Sequence, residues 1–178
     1  IKFINKYDIQ QFFELDLYTL SDVGIEKTVK MRKYIEYHTK KKCIPVFHAC
    51  MGMKMYRELC EEYDYIGIGA SGLTDECKWT KNTKLLKQVV NIANSYGVKV
   101  HGLGYTRLSN INKTEIQFYS VDSSAWVGSR FNTRYDIKYG MLAQSNATEQ
   151  EERLADWKQL DMHNLKVWRK IQQIKSNK

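Results

Sequence analysis

Tyr65-Ile66-Gly67-Ile68-Gly69 and Val98-Lys99-Val100-His101-Gly102-Leu103 are two strand-sized apolar runs. Between them lies a stretch that reads as a helix from about Asn82 to Tyr96. Gly97 stands where such a helix stops, because glycine accepts left-handed backbone without a Cβ clash. A strand, a crossover helix and a second strand form a βαβ unit, and its strands run parallel. The same rhythm continues in both directions. Upstream stand a strand at Phe12–Leu17, a helix from about Gly24 to Thr39, a strand at Ile44–His48 and a helix from about Lys54 to Glu62. Ile25, Val29, Met31 and Ile35 are apolar positions of the first of these helices. Downstream come a short helical turn at Tyr105–Ile111, a strand at Ile116–Val121 and a strongly helical tail from about Thr148 to Ile174.

The strands are nearly continuous apolar runs, as in a sheet covered on both faces. The expected fold is therefore α/β: a parallel (βα) TIM-type barrel with a long C-terminal helix. Rossmann and P-loop fingerprints are missing after the first strand, and Gly102-Leu103-Gly104 lacks a third glycine. A complete barrel takes about 200 to 250 residues. The chain has 178 residues and opens at Ile1, inside what reads as the end of an amphipathic helix running to Gln11. The expectation is a partial barrel of about five βα units whose N-terminal strands are missing. It forms a single domain over 1–178, with the helical tail at about 146–176.

Hydrophobic residues make up 43% and charged residues 27%, enough apolar content for a packed core. The one proline and the absence of low-complexity tracts argue against a linker. Apolar runs are far shorter than a membrane span, and no signal peptide is read. The net charge of +8 favours polyanions such as nucleic acid, although a plain basic surface explains it equally well. Cys43, Cys50, Cys60 and Cys77 show no Cys-x-x-Cys spacing. They read as buried free thiols, which implies a reducing, cytoplasmic compartment.

Each strand ends in a polar residue or glycine: Asp16, His48, Gly69, Gly104 and Asp122. Parallel α/β folds bind ligands at those ends. Asp122 closes Phe118-Tyr-Ser-Val-Asp122, where a carboxylate in a partly dry pocket is a candidate nucleophile or base. The competing reading is a helix N-cap. Asp16 shares a strand face with Glu14 and is either functional or a solvated carboxylate. His48 could bind an amide or move a proton, or be a satisfied structural histidine. His101 is weighed as structural. Gly67, Gly69, Gly72, Gly102 and Gly104 either let a flat ligand approach the backbone or make tight turns. Trp157, Leu165 and Trp168 have helical spacing and read as core, whereas Trp126 could stack on a base. Arg130, Arg134 and Lys138 are possible phosphate contacts or a solvated face.

The order of these motifs resembles the tRNA-guanine transglycosylase superfamily with its phage and DNA-modifying relatives, over most of Phe12 to Trp126. Phe13-Glu-Leu-Asp16 resembles the strand whose aspartate recognises the base. Pro45-Val-Phe-His48 takes the place of a strand ending in a base-contacting glutamine. Tyr65-Ile-Gly-Ile-Gly-Ala-Ser-Gly-Leu73 resembles the glycine-rich strand end under the base, and Val100-His-Gly-Leu-Gly104 the short Gly-x-Gly strand. Tyr119-Ser-Val-Asp122 falls where the nucleophilic aspartate stands. Phage proteins with a Tyr-Ser-Val-Asp-Ser-x-x-Trp strand look most similar.

The resemblance implies base exchange at guanine in tRNA or DNA. Asp122 would be the nucleophile, and Asp16, His48, Gly69, Gly102, Leu103 and Gly104 would bind a purine-like molecule. The alternative is a noncatalytic phage or mobile-element barrel that binds nucleic acid or protein. The family's zinc site needs cysteines after the nucleophile strand, and none follows Cys77, so neither metal nor cofactor is expected.

Overall fold

A computed structural model of the chain describes residues 1–15, 22–69, 83–105, 116–122, 127, 133–136, 140–143 and 157–176. Asp16, Gly72, Cys77, Trp126, Arg130, Lys138 and the turn expected at 106–111 lie outside these residues. The fold is mixed α/β, and the chain divides into two compact units.

The first unit comprises Ile1–Tyr105 and Ile116–Asp122. A short helix α1 (Lys2–Lys6) precedes the sheet, shorter than the helix read up to Gln11. Then follow α2 (Asp22–Thr39), β1 (Val46–Phe47), a 3-10 turn (Ala49–Met51), α3 (Gly52–Glu62), β2 (Tyr65–Gly69), α4 (Thr83–Ser95), β3 (Lys99–Leu103) and β4 (Ser120–Val121). The four strands form one sheet in the order β1-β2-β3-β4, every neighbouring pair parallel. A parallel bridge between Phe13 and Ile44 continues the sheet beyond β1, the one paired position of the first expected strand among the described residues. Space order thus follows chain order.

The helix-side core lies between the sheet and α3 and α4. Leu86, Val89, Val90 and Ala93 recur at one-turn spacing on α4 and are buried, as are Tyr56, Leu59 and Cys60 on α3. From the strands come Phe47, Ile66, Ile68 and Val100, all fully buried. The Tyr56 ring tilts on Phe47 at 4.4 Å, and its hydroxyl donates to the Val89 carbonyl at 2.9 Å. That bond satisfies the one polar atom a buried tyrosine carries.

Helix α2 packs differently from its apolar pattern. Its buried residues include Thr28, Arg32 and Thr39, while Met31 is exposed. The reason lies across the sheet edge. Glu14 is buried, accepts from Arg32 Nη1 at 3.0 Å through Oε2, and accepts from the Val46 backbone N–H at 2.6 Å through Oε1. The Arg32 guanidinium also lies 5.2 Å from the Tyr63 ring centre. A polar pair, not an aliphatic stripe, sets the helix rotation.

Lys40 follows α2 with φ +57 and donates its N–H to the Glu36 carbonyl at 2.8 Å. A side chain there costs roughly 1 kcal/mol relative to glycine. Lys40→Gly is therefore expected to raise stability by about 1 kcal/mol, read as a higher urea midpoint at unchanged slope. Gly97 after α4 has φ +73, the helix stop its position predicts.

Cys43 and Cys60 are buried, and burial pushes their thiols up to about 12 and about 11. Cys50 is exposed, contrary to the buried reading, because it sits on the 3-10 turn outside the sheet layer.

The second unit comprises Thr106–Glu115 and Ser123–Lys178. It holds an antiparallel hairpin, β5 (Thr133–Asp136) with β6 (Gly140–Ala143), and a helix α5 (Trp157–Ser176) that lies against β5. The hairpin is absent from the sequence reading: four-residue strands give too few positions for alternation to register. In α5, Leu165 and Trp168 are half-buried and Asn164 is fully buried.

Candidate functional site

Alternation along the strands sorts the residues by face. Tyr65, Gly67 and Gly69 share the face opposite the α3–α4 core, as do His101, Leu103, Ser120 and Asp122. The register places Gly67 beside His101 and His101 beside Ser120. Phe13 covers this row: its ring lies 5.0 Å from the His101 ring. A Cβ on Gly67 would stand 3.0 Å from Phe13 Cε1 and 3.3 Å from Leu103 Cδ1. Glycine at position 67 therefore makes room for Phe13 and Leu103.

At the carboxyl ends the expected residues come together in two groups. His48 is buried directly against Gly69, where a Cβ would lie 2.4 Å from its Cε1 and 2.7 Å from its Nδ1. Gly104, at φ +65, turns its backbone N–H onto Asp122 Oδ1 at 2.5 Å. Leu103 is half-buried between the groups, in register with Gly69. Gly102 points the other way. A Cβ there would meet the Phe118 ring and Tyr105 Cβ at 3.1 Å, so internal packing accounts for that glycine.

The structure adds Ser120 and Tyr65, which the sequence reading did not weigh, and His101, which it read as structural. His101 Nε2 lies 3.6 Å from Asp122 Oδ1, and its Nδ1 is 2.6 Å from Ser120 Oγ. Ser120 Oγ is in turn 2.5 Å from the Tyr65 hydroxyl. A neutral imidazole with its proton on Nε2, facing the carboxylate, accepts the Ser120 proton at Nδ1. Ser120 then accepts from Tyr65. That tautomer is assigned from the partners. Strand alternation from Asp122 points to Ser120, but the cross-strand register that joins it to His101 is not written in either strand alone.

Burial lowers the His101 pKa, and the neighbouring Asp122 carboxylate only partly offsets this. The group is thus neutral at pH 7. A depressed histidine destabilises the fold as pH falls below 6.5, because the unfolded chain takes up the proton first. Stability is expected to drop on going below 6.5, and His101→Gln should flatten that part of the profile. Thermal melts of both proteins across this range check it; parallel profiles would refute it.

Asp122 itself is open: its side chain is 59% exposed, and Oδ1 takes both contacts found among the described residues. A carboxylate oriented by a backbone N–H and an imidazole, with its second oxygen unbonded among the described residues, can act as nucleophile or base. Among the described residues no three His, Cys, Asp or Glu side chains gather as a metal site, and no helix is long and apolar enough to cross a membrane. No protein-family model, curated protein or solved structure matches the chain.

The contact between Gly69 and His48 is testable. Gly69→Ala is expected to cost about 1–3 kcal/mol, because the imidazole must swing off the strand end. In a His48→Ala background the same change should cost nothing. A urea-denaturation cycle of the four proteins reads the difference; additive costs would show that the ring does not depend on this glycine.

Proposed function

We propose that this chain is a transglycosylase-like enzyme exchanging guanine in tRNA or DNA, with Asp122 as nucleophile, built on part of a parallel (βα) TIM-type barrel. The observation that carries the reading is the placement of Asp122. It closes β4 beside Gly104 and His101, on the rim that His48 and Gly69 also occupy. The described members of the resemblance's motifs, His48, Gly69, Gly104 and Asp122, stand at these strand ends, which supports the reading. Chain-order winding with every pair in the four-stranded sheet parallel supports the barrel, because an open doubly wound sheet reverses its order part-way.

In this reading the second Asp122 oxygen attacks the anomeric carbon of the nucleotide. The carbon–oxygen bond forms as the glycosidic bond breaks, and guanine leaves with the bonding pair and takes up a proton. An incoming purine reverses the step, losing its proton and restoring the carboxylate. His48, Leu103 and the glycine backbones would hold the flat base by its edges, together with Asp16. In a duplex the nucleotide must first be flipped out. Incorporation of radiolabelled guanine into tRNA and DNA tests the proposal. Absence of incorporation into either, with guanine binding unchanged in Asp122→Ala, sinks it in favour of a noncatalytic binding protein.

A further inference from the structure

The opposite ends of the strands hold a second feature that the proposed chemistry does not use. A concavity of about 400 Å³ opens where β1, β2 and β3 begin, lined among others by Gln10, Lys40, Lys41, Lys42, Asp64 and Lys99. Four lysines and one aspartate thus line it. Lys41 is ion-paired with Asp8 at 2.7 Å, which neutralises it locally. Lys42 donates to the Glu62 backbone carbonyl at 2.5 Å, and its ammonium interacts electrostatically with the Glu62 carboxylate without a direct ion pair. Lys40 and Lys99 lie over tyrosine rings, Tyr37 at 4.2 Å and Tyr119 at 4.8 Å. Lys40, Lys42 and Lys99 make no ion pair among the described residues.

Tyr37 is 68% and Tyr119 is 62% exposed; each stands beside a lysine cation and one neighbouring ring, His38 at 5.2 Å and Tyr65 at 5.5 Å. Large aromatic side chains gain little by standing exposed, and a stack on a base would give them a use. Cations in an open trough, flanked by flat exposed rings, match a single-stranded nucleic acid: phosphates for the ammonium groups and bases for the tyrosines. A compact phosphate metabolite would instead need donors closing around it, and this trough is open. The +8 net charge gives the encounter the right sign.

We infer that the trough at the strand beginnings, built on Lys40, Lys42 and Lys99 with Tyr37 and Tyr119, is a single-stranded nucleic-acid binding surface separate from the Asp122 rim. It goes beyond the base-exchange reading and does not depend on it, since binding is read without turnover.

The test measures fluorescence anisotropy of a labelled single-stranded oligonucleotide at several salt concentrations, using the full chain. Each lost phosphate contact should lower the salt slope by about 0.7, so the Lys40→Gly, Lys42→Ala, Lys99→Ala protein should lose about 2. Lys40→Gly is chosen because φ +57 at this position suits glycine. Lys54→Ala with Lys87→Ala, exposed on α3 and α4, should leave the slope unchanged. Tyr37→Ala with Tyr119→Ala should weaken the oligonucleotide at least about 5-fold while leaving inorganic polyphosphate binding unaltered. Circular dichroism and the urea midpoint confirm that each variant is folded. An unchanged slope in the folded triple variant overturns the surface. Tyrosine variants that bind both probes as the parent does overturn its assignment to nucleic acid. Loss of base exchange in Asp122→Ala with this binding intact would show the two sites to be separate.

Discussion

Arg32→Ala is expected to cost about 3–5 kcal/mol, enough to unfold a marginal domain. The Arg32 and Glu14 side chains are 5% and 2% exposed, so removing the cation leaves a carboxylate with almost no water to solvate it. Coulomb attraction at 3.0 Å does not set the size of the effect. What does is the stranded charge, which also holds the Val46 N–H at the start of β1. The guanidinium Nε is buried without a hydrogen-bond partner among the described residues, so the pair is incompletely satisfied as it stands. This leads to a second expectation. Replacing both partners with apolar residues of similar size, Glu14→Leu with Arg32→Met, should cost less than the sum of the two single changes, because no charge is then stranded and the main remaining cost is the unpaired Val46 N–H, about 1–3 kcal/mol. Urea denaturation of the four proteins gives the coupling energy. A single Arg32→Ala cost below about 1 kcal/mol would mean that water or a neighbour reaches Glu14.

Asp122→Asn is expected to abolish the proposed base exchange while leaving the fold intact. The amide keeps the shape and can still accept the Gly104 N–H, yet it cannot form the glycosyl ester that the proposal requires. With the carboxylate 59% exposed, its loss should shift stability by no more than about 0.5 kcal/mol. Trapping separates the nucleophile from a merely positioning carboxylate. Parent protein incubated with substrate and quenched in denaturant should carry a covalent nucleotide adduct detectable by mass spectrometry, and Asp122→Asn should carry none. An adduct of undiminished yield in Asp122→Asn would move the nucleophile to another residue. His101→Gln should lower the rate less than Asp122→Asn does, because His101 touches the carboxylate and not the substrate in this scheme.

The residues differ in how far they could be read from the chain. β2, α4 and β3 match their expected spans within a residue or two. Each combines a period, a length and a stop signal, and these are local properties. α2 was legible as a helix but not in its rotation. Its apolar positions compete with Arg32, and the choice depends on a carboxylate 18 residues earlier. His48 and Gly69 were legible as strand ends. That one requires the other to lack a Cβ follows from the approach of β1 to β2, which no local pattern encodes.

Asp122 illustrates the same division within one site. An acidic residue closing an apolar strand stands out in the sequence because burying it without partners is costly. Its partners do not stand out. The Gly104 N–H reaches it only because that residue adopts φ +65, and His101 reaches it only because β3 and β4 pair with His101 opposite Ser120. The order of residues along the chain was enough for the alternation of strands and helices, and for the strand ends as the place to look. Period, propensity and capping act over a few neighbours, and so they are written there. Which strand end faces which, the Arg32–Glu14 pair, the Tyr65–Ser120–His101 line and the lysine trough all join residues far apart in sequence. Register and burial bring them within bonding distance, and both are properties of the assembled sheet.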